Sequence, residues 1–80
     1  MRDAIISTYP DRNFMFVLGL DDAIIGVEDL SMKVVYSESK CLEIFMRRGM
    51  TFQEASDNLE FNVKSAYMGE KTPIFVDDTM

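Results

Sequence analysis

The fold is decided by residues 37–69, SESKCLEIFMRRGMTFQEASDNLEFNVKSAYMG, where two helical patterns of apolar residues meet at one junction. Gly49 stands where a helix commonly ends in the left-handed conformation, and Arg47 and Arg48 precede it, where positive side chains favour the negative end of the helix dipole. Thr51, followed three residues later by a glutamate, has the spacing of a capping box, which begins a second helix. The junction therefore predicts a helical hairpin.

The two helices are predicted over about 38–48 and 52–68, because their apolar residues recur at i, i+3 and i+4. The first core stripe comprises Leu42, Phe45 and Met46, flanked by Cys41 and Ile44. The second core stripe comprises Phe52, Ala55, Leu59, Val63 and Ala66. On the first helix Glu43 and Arg47 are four residues apart, so we expect an ion pair between them.

The rest of the chain predicts short strands and one further helix. Residues 14–18 are a continuous apolar run, 32–36 are rich in β-branched residues, and 73–76 begin with a proline that suits a strand start. Asp21 has the position of an N-cap for a short helix, and residues 1–13 are expected to be irregular or a short edge strand. The predicted fold class is α+β, with a short N-terminal helix, the helical hairpin and a small sheet of short strands.

Size and charge limit the partners of this chain. Eighty residues make one domain, 1–80, near the lower limit for a core without disulfides, metal or a partner chain. Fourteen acidic and eight basic residues give a net charge of −6, which repels phosphate backbones and anionic membranes. No apolar run approaches the roughly 20 residues of a membrane span or forms a signal-peptide core. We expect a cytoplasmic protein that binds neither nucleic acid nor membrane.

No residue pattern points to catalysis. The chain has no histidine and a single cysteine, Cys41, which lies on an apolar helix face and is expected to be a small core residue. The spacing and the central glycine of a calcium loop are missing around the acidic pairs Asp21–Asp22, Glu28–Asp29 and Asp77–Asp78. We therefore expect no catalytic residue, no metal, no cofactor and no enzyme.

A helix-turn-helix DNA-binding regulator is the alternative interpretation of residues 51–67. In spacing, this segment resembles a helix, a three-residue turn and the start of a recognition helix. However, Glu60 occupies the turn position that usually holds glycine, and Lys64 is the single cation of the would-be recognition segment. The acidic chain also disfavours DNA binding, and one continuous helix explains the same residues.

Apolar and acidic side chains outside the core stripes predict an interaction surface. A domain of this size buries only about 60% of its unfolded surface, so some apolar residues must stay exposed. The candidate interface comprises Met50, Asp57, Glu60, Phe61, Tyr67 and Met68. Exposed apolar patches commonly mark an interface, often between identical chains. We expect a protein partner and a two-fold homodimer at this surface.

Several short motifs carry a resemblance to a known group of proteins. They are Lys33-Val-Val-Tyr36, Lys40-Cys-Leu-Glu-Ile44, Gly49-Met-Thr51 with Glu54-Ala55, Glu60-Phe-Asn62, Ala66-Tyr67, Gly69-Glu70, Thr72-Pro73 and Phe75. Over about residues 20–76 the chain resembles small uncharacterised phage and prophage proteins, a group without a motif of known chemistry. The resemblance implies a phage origin and a small α+β fold, and it assigns no catalytic residue.

Taken together, these features predict a small acidic phage-type accessory protein. It would bind a host or phage macromolecule through surface acids and exposed methionine and aromatic side chains, and thereby inhibit or assist that partner. If the protein is phage-encoded, the expected compartment is the cytoplasm of the host cell.

Overall fold

The computed structural model describes residues 1–66, 69 and 71–78, and it confirms the predicted α+β class with a short N-terminal helix, which lies at Arg2–Thr8 and not at Asp21. Within these residues the helices are α1 (Arg2–Thr8), α2 (Glu38–Arg47) and α3 (Phe52–Asp57), the last followed by a π-helical segment (Asn58–Val63). The strands are β1 (Ile24–Glu28), β2 (Lys33–Ser37) and β3 (Ile74–Val76). No described helix is long and apolar enough to cross a membrane.

The strands of the described residues form one sheet in the order β1-β2-β3. β1 and β2 are antiparallel, whereas β2 and β3 run parallel. The Glu28 carboxylate closes the loop between β1 and β2, because it accepts the N–H groups of Leu30 and Ser31 at 3.1 and 3.0 Å. The strands predicted at 32–36 and 73–76 are confirmed. Their β-branched residues suit the half-buried surface of a sheet.

Tyr36 on β2 is fully buried and links distant parts of the core. Its ring stacks on Phe75 of β3 with the ring centroids 5.5 Å apart, and its hydroxyl accepts the backbone N–H of Val17 at 2.8 Å. The other buried apolar residues are Ile5, Val17, Leu20, Ala23, Ile24, Val34, Cys41, Leu42, Ile44, Phe45, Ala55 and Leu59. This core joins the N-terminal segment, the sheet and the helical hairpin, and Cys41 belongs to it as expected.

The first 18 residues differ from the prediction. Residues 1–13 contain the helix α1, which buries Ile5 against the core, instead of irregular structure or an edge strand. The strand predicted at 14–18 is wrong, since no strand forms there. Part of this run is buried through side chains: Val17 lies in the core and the ring of Phe14 packs on Tyr9 with the centroids 5.9 Å apart, whereas Leu18 is 86% exposed. A short apolar run can be buried in this way, whereas a strand also needs a neighbouring strand to pair with.

The helix predicted to begin at Asp21 is also wrong. A single 3₁₀ turn, Asp21–Ala23, forms there without a side-chain cap, and the chain then continues as β1. Ile24 at the start of β1 pairs with Tyr36 of β2 and is buried. Pairing with β2 outweighs the local capping signal, because it satisfies the backbone and buries β-branched side chains that suit a sheet.

The junction of the helical hairpin is confirmed. Gly49 has a φ of +102°, and the N–H groups of Gly49 and Met50 donate to carbonyl oxygens in the last turn of α2 at 3.0 and 3.2 Å. These are the two hydrogen bonds of a Schellman motif. The Thr51 hydroxyl accepts the N–H of Glu54 at 3.2 Å, and the Glu54 carboxylate accepts the N–H of Thr51 at 2.9 Å. This capping box begins α3, as predicted.

The second helix of the hairpin continues from α3 into the π-helical segment without a break. Asp57, Asn58 and Lys64 all have right-handed helical backbone angles. The helix predicted over 52–68 is therefore confirmed as far as Val63, with π-helical geometry that the sequence did not predict. Residues 64–66 form turns, and the end of that prediction, at Tyr67 and Met68, lies outside the described residues.

Three side chains predicted in the core stripes, Met46, Phe52 and Ala66, are exposed. Met46 is 44% exposed and Phe52 is 59% exposed. Met46 follows the buried Phe45 and lies about 100° further around the helix, which turns its side chain away from the core. The predicted Glu43–Arg47 ion pair does not form, since the ion pairs of the described residues are Arg2–Asp21, Lys64–Glu38 and Lys64–Glu60.

Candidate functional site

A groove along α3 and the π-helical segment collects most of the predicted interface residues that the structure describes. Its volume is about 340 Å³, and it opens widely to solvent. The residues that line it are Met50, Glu54, Asp57, Asn58, Phe61 and Asn62. We call this surface the α3 groove.

Each end of the α3 groove carries an apolar side chain. Met50 follows Gly49 directly at the hairpin junction, so the Schellman motif sets its position, and it is partly buried against the core. Phe61 lies in the π-helical segment and is 69% exposed. An exposed phenylalanine of this kind can supply a large contact area to a partner.

The middle of the groove is acidic. Backbone and side-chain hydrogen bonds from Thr51 lower the pKa of Glu54, so its carboxylate is ionised. The Asp57 carboxylate accepts a hydrogen bond from Gln53 Nε2 at 3.0 Å. Among the described residues, no cationic side chain lines the groove. The surface therefore combines apolar ends with an anionic centre.

The π-helical turn shapes the second half of the groove. The N–H of Lys64 donates to the carbonyl oxygen of Leu59 at 2.9 Å, five residues earlier, which widens this turn. Asn62 donates through Nδ2 to Asn58 Oδ1 at 3.0 Å, so the two amides are held together in the groove wall. π-helical turns are rare and frequently occur at functional sites.

The Glu60 carboxylate forms an ion pair with Lys64 and does not line the groove. Lys64 Nζ lies 3.1 Å from the Glu60 carboxylate and 2.5 Å from the Glu38 carboxylate at the start of α2. Burial lowers the pKa of Lys64, but hydrogen bonds to both carboxylates outweigh that effect and raise the pKa. These contacts connect the end of the π-helical segment to α2.

The six predicted interface residues divide into three groups. Met50, Asp57 and Phe61 lie together in the α3 groove, whereas Glu60 does not line it. Tyr67 and Met68 lie outside the described residues. The role of this surface as an interface stays a prediction.

Sequence reasoning missed three residues of the groove. They are Glu54, Asn58 and Asn62. All three follow Met50 at intervals of four residues, so the helical spacing contained a signal that places them on one face.

Cys41 is the thiol of the chain and has the environment of a core residue. It is fully buried, and burial, together with the nearby charges of Glu38 and Asp78, raises the pKa of its thiol to about 12. The thiolate is the nucleophilic form, so this side chain is poorly suited to covalent catalysis. Among the residues that the structure describes, no group of histidine, cysteine, aspartate and glutamate could hold a metal ion.

A polar cluster at the N-terminus of α2 has a structural explanation. The Ser37 hydroxyl and the Ser39 N–H donate to the Asp78 carboxylate at 2.5 and 2.9 Å, and these bonds lower the pKa of Asp78 to about 2. The Ser37 hydroxyl also accepts the N–H of Lys40 at 3.2 Å, which makes it the N-cap of α2. A carboxylate with so low a pKa is a weak base for activating a serine. The cluster caps α2 and ties it to the chain that follows β3.

Comparisons with protein-family models, with curated proteins and with solved structures found no match to this chain. The resemblance to phage and prophage proteins therefore stays a prediction.

Proposed function

We propose that this chain is a small acidic accessory protein that acts by binding a protein partner, without catalysis of its own. The observation that carries the proposal is the α3 groove, in which the exposed Phe61 lies beside two carboxylates. Interfaces gain most of their affinity from a few aromatic or other large anchors, and charges around them select the partner. The groove has this composition.

The partner's contact segment is cationic and carries an apolar side chain. Glu54 and Asp57 supply negative charge in the groove, and the whole chain has a net charge of −6. Arginine or lysine side chains of a partner would meet these carboxylates, while an apolar side chain packs on Phe61. Binding either inhibits or assists the partner.

Two observations favour this proposal over the DNA-binding alternative. Residues 60–62 lie within one continuous run of helical backbone, where a helix-turn-helix needs a turn between two separately oriented helices. The groove wall is also acidic, so it repels the phosphates that supply most of the affinity for DNA. We expect no binding of duplex DNA below about 10 μM at physiological salt, weaker than typical specific binding. Salt-sensitive, sequence-selective gel shifts would favour the alternative.

The origin and compartment of the protein belong to the same proposal. The resemblance over about residues 20–76 supports a phage origin, and a phage protein that binds a host partner would act in the host cytoplasm. The predicted homodimer is also a proposal. If Met50 and Phe61 formed the dimer contact, the dimer and the partner would compete for one groove.

Affinity purification from a bacterial host, followed by binding measurements with the purified captured protein, tests the proposal. Phe61→Ser removes the exposed anchor and should weaken binding by about thirtyfold or more, the effect of losing a strong interface residue. Leu30→Ser is the matched control, because Leu30 is 93% exposed and lies at the loop between β1 and β2, outside the α3 groove.

The charge of the groove is tested separately. Asp57→Lys reverses one carboxylate of the lining and should weaken binding of a cationic partner and reduce the dependence of its affinity on salt. A captured protein that binds wild type, Phe61→Ser and Asp57→Lys with equal affinity would refute this use of the groove.

A further inference from the structure

A second exposed apolar surface lies on α2, away from the α3 groove. Met46 and Phe52, which are 44% and 59% exposed, lie in one shallow depression of about 280 Å³, whose other lining residues are Ser39, Leu42, Glu43 and Asp78. An adjoining depression of about 370 Å³ is lined by Glu43, Met46 and Arg47. We call the central residues of the two depressions the α2 face: Leu42, Glu43, Met46, Arg47 and Phe52. The Asp78 carboxylate beside them is held by hydrogen bonds from Ser37 and Ser39. The α2 face shares no lining residue with the α3 groove.

Among the residues that the structure describes, Glu43 and Arg47 of the α2 face have no ion-pair partner. Glu43 and Arg47 have the i, i+4 spacing, with the acid first, that favours an ion pair on a helix. Neither side chain forms an ion pair with a residue that the structure describes. Both are exposed, and helix geometry places them about 60° and 100° around the helix from Met46, on the same side of it. An apolar side chain therefore lies beside one negative and one positive group.

We infer that the α2 face is the contact of a two-fold dimer, in which α2 packs antiparallel against α2 of a second copy. A two-fold contact needs a self-complementary surface, in which each charge meets the opposite charge of the other copy. With the crossing point level with Phe45, Glu43 and Arg47 lie about 3 Å before and after it along the helix axis. Glu43 of each copy then faces Arg47 of the other, and the two Met46 side chains meet beside these charge pairs.

This arrangement accounts for both unexpected features of α2. It covers Met46 and Phe52, which the chain itself leaves exposed, and it gives Glu43 and Arg47 partners of opposite charge. A different protein could also cover the apolar side chains, but it would not require both signs of charge at symmetric positions. The dimer also leaves Phe61 free, so it is compatible with partner binding at the α3 groove and independent of it.

Sedimentation equilibrium of the full chain over about 1–100 μM tests the inference. The salt concentration should be about 0.15 M, where repulsion between distant surface charges is largely screened. Wild type should show a concentration-dependent dimer mass. Glu43→Arg and Arg47→Glu should each weaken the dimer by about tenfold or more, because each places like charges opposite one another. The double reversal, Glu43→Arg with Arg47→Glu, should restore the wild-type dissociation constant.

Matched controls separate this contact from general effects of charge and folding. Asp29→Arg makes the same charge change as Glu43→Arg, and Arg12→Glu makes the same change as Arg47→Glu, both at exposed positions outside the α2 face and the α3 groove. These controls should leave the dimer unchanged, and circular dichroism should show that all variants are folded. A monomeric wild type, a dimer that survives both single reversals, or a double reversal that stays monomeric would each overturn the inference.

Discussion

Replacing Gly49 by alanine is expected to destabilise the protein through backbone strain alone. Gly49 has a φ of +102°, and a Cβ atom built there meets no atom within 4 Å, so no side-chain clash contributes. An L-residue in left-handed backbone loses roughly 1–2 kcal/mol. Alanine also lowers the conformational entropy of the unfolded chain, which by itself raises the free energy of unfolding by about 0.4–1 kcal/mol. The net loss in free energy of unfolding should be about 0–1.6 kcal/mol, with a central value of about 0.8 kcal/mol.

Gly26→Ala is the matched variant, because a Cβ at Gly26 also meets nothing within 4 Å and its φ lies outside the left-handed region. Gly26→Ala lowers the entropy of the unfolded chain but introduces no backbone strain, so it should raise the free energy of unfolding by about 0.4–1 kcal/mol. The difference between the two variants should therefore equal the strain at Gly49, about 1–2 kcal/mol. For a domain of this size each kcal/mol moves Tm by about 4–8 °C.

Urea denaturation and thermal melting of both variants measure this difference. Equal stability of Gly49→Ala and Gly26→Ala would refute the left-handed helix end, and with it the Schellman motif that positions Met50. A loss in both variants would instead show that the strand at Gly26 cannot accept a side chain.

Two further predictions concern the helix caps. Thr51→Ala should lower the free energy of unfolding by about 1 kcal/mol because the capping box is lost. Thr8→Ala is the same change in α1, at a hydroxyl that donates to a backbone carbonyl, and should lower it by less. Equal losses in urea denaturation would contradict the assigned role of Thr51. For Asp78, hydrogen bonds from Ser37 and Ser39 hold the folded-state pKa at about 2, below the ordinary value of 3.8. Its contribution should therefore be fully present above pH 3.8 and disappear as the pH falls through about 2, so that wild type and Asp78→Asn differ in Tm at neutral pH and converge in acid. A difference that does not depend on pH would show that charge on Asp78 is unimportant.

Local sequence signals were sufficient where the relevant interactions span only a few residues. The helical hairpin was predicted from Gly49, Thr51 and the spacing of apolar residues, and its Schellman motif and capping box involve residues at most five apart. The strand at 32–36 was predicted in the same way, from a cluster of residues that suit a sheet. In these segments the local preference and the tertiary environment agree.

The candidate site was predicted only in part. Met50, Asp57 and Phe61 were selected because they fall outside the core stripes, and the structure places them in one groove. The π-helical turn could not be predicted, because its i→i+5 bonding depends on packing of the helix and on contacts such as the Lys64 ion pairs. The exposure of Met46 and Phe52 was missed, since periodicity identifies an apolar face but does not say how much of it the rest of the chain covers.

The sequence by itself determined the helical hairpin, the two strands rich in β-branched residues and the absence of histidine chemistry, because residue types and short spacings decide each of these. Only the tertiary structure decided which secondary structure residues 1–28 adopt. Ile24 lies in a strand because it pairs with β2. Residues 14–18 form no strand, and their contacts are different: the Tyr36 hydroxyl accepts the N–H of Val17, and the ring of Phe14 packs on Tyr9. Backbone pairing and burial depend on segments far apart in the chain, and their free energy exceeds the small preferences that local sequence expresses.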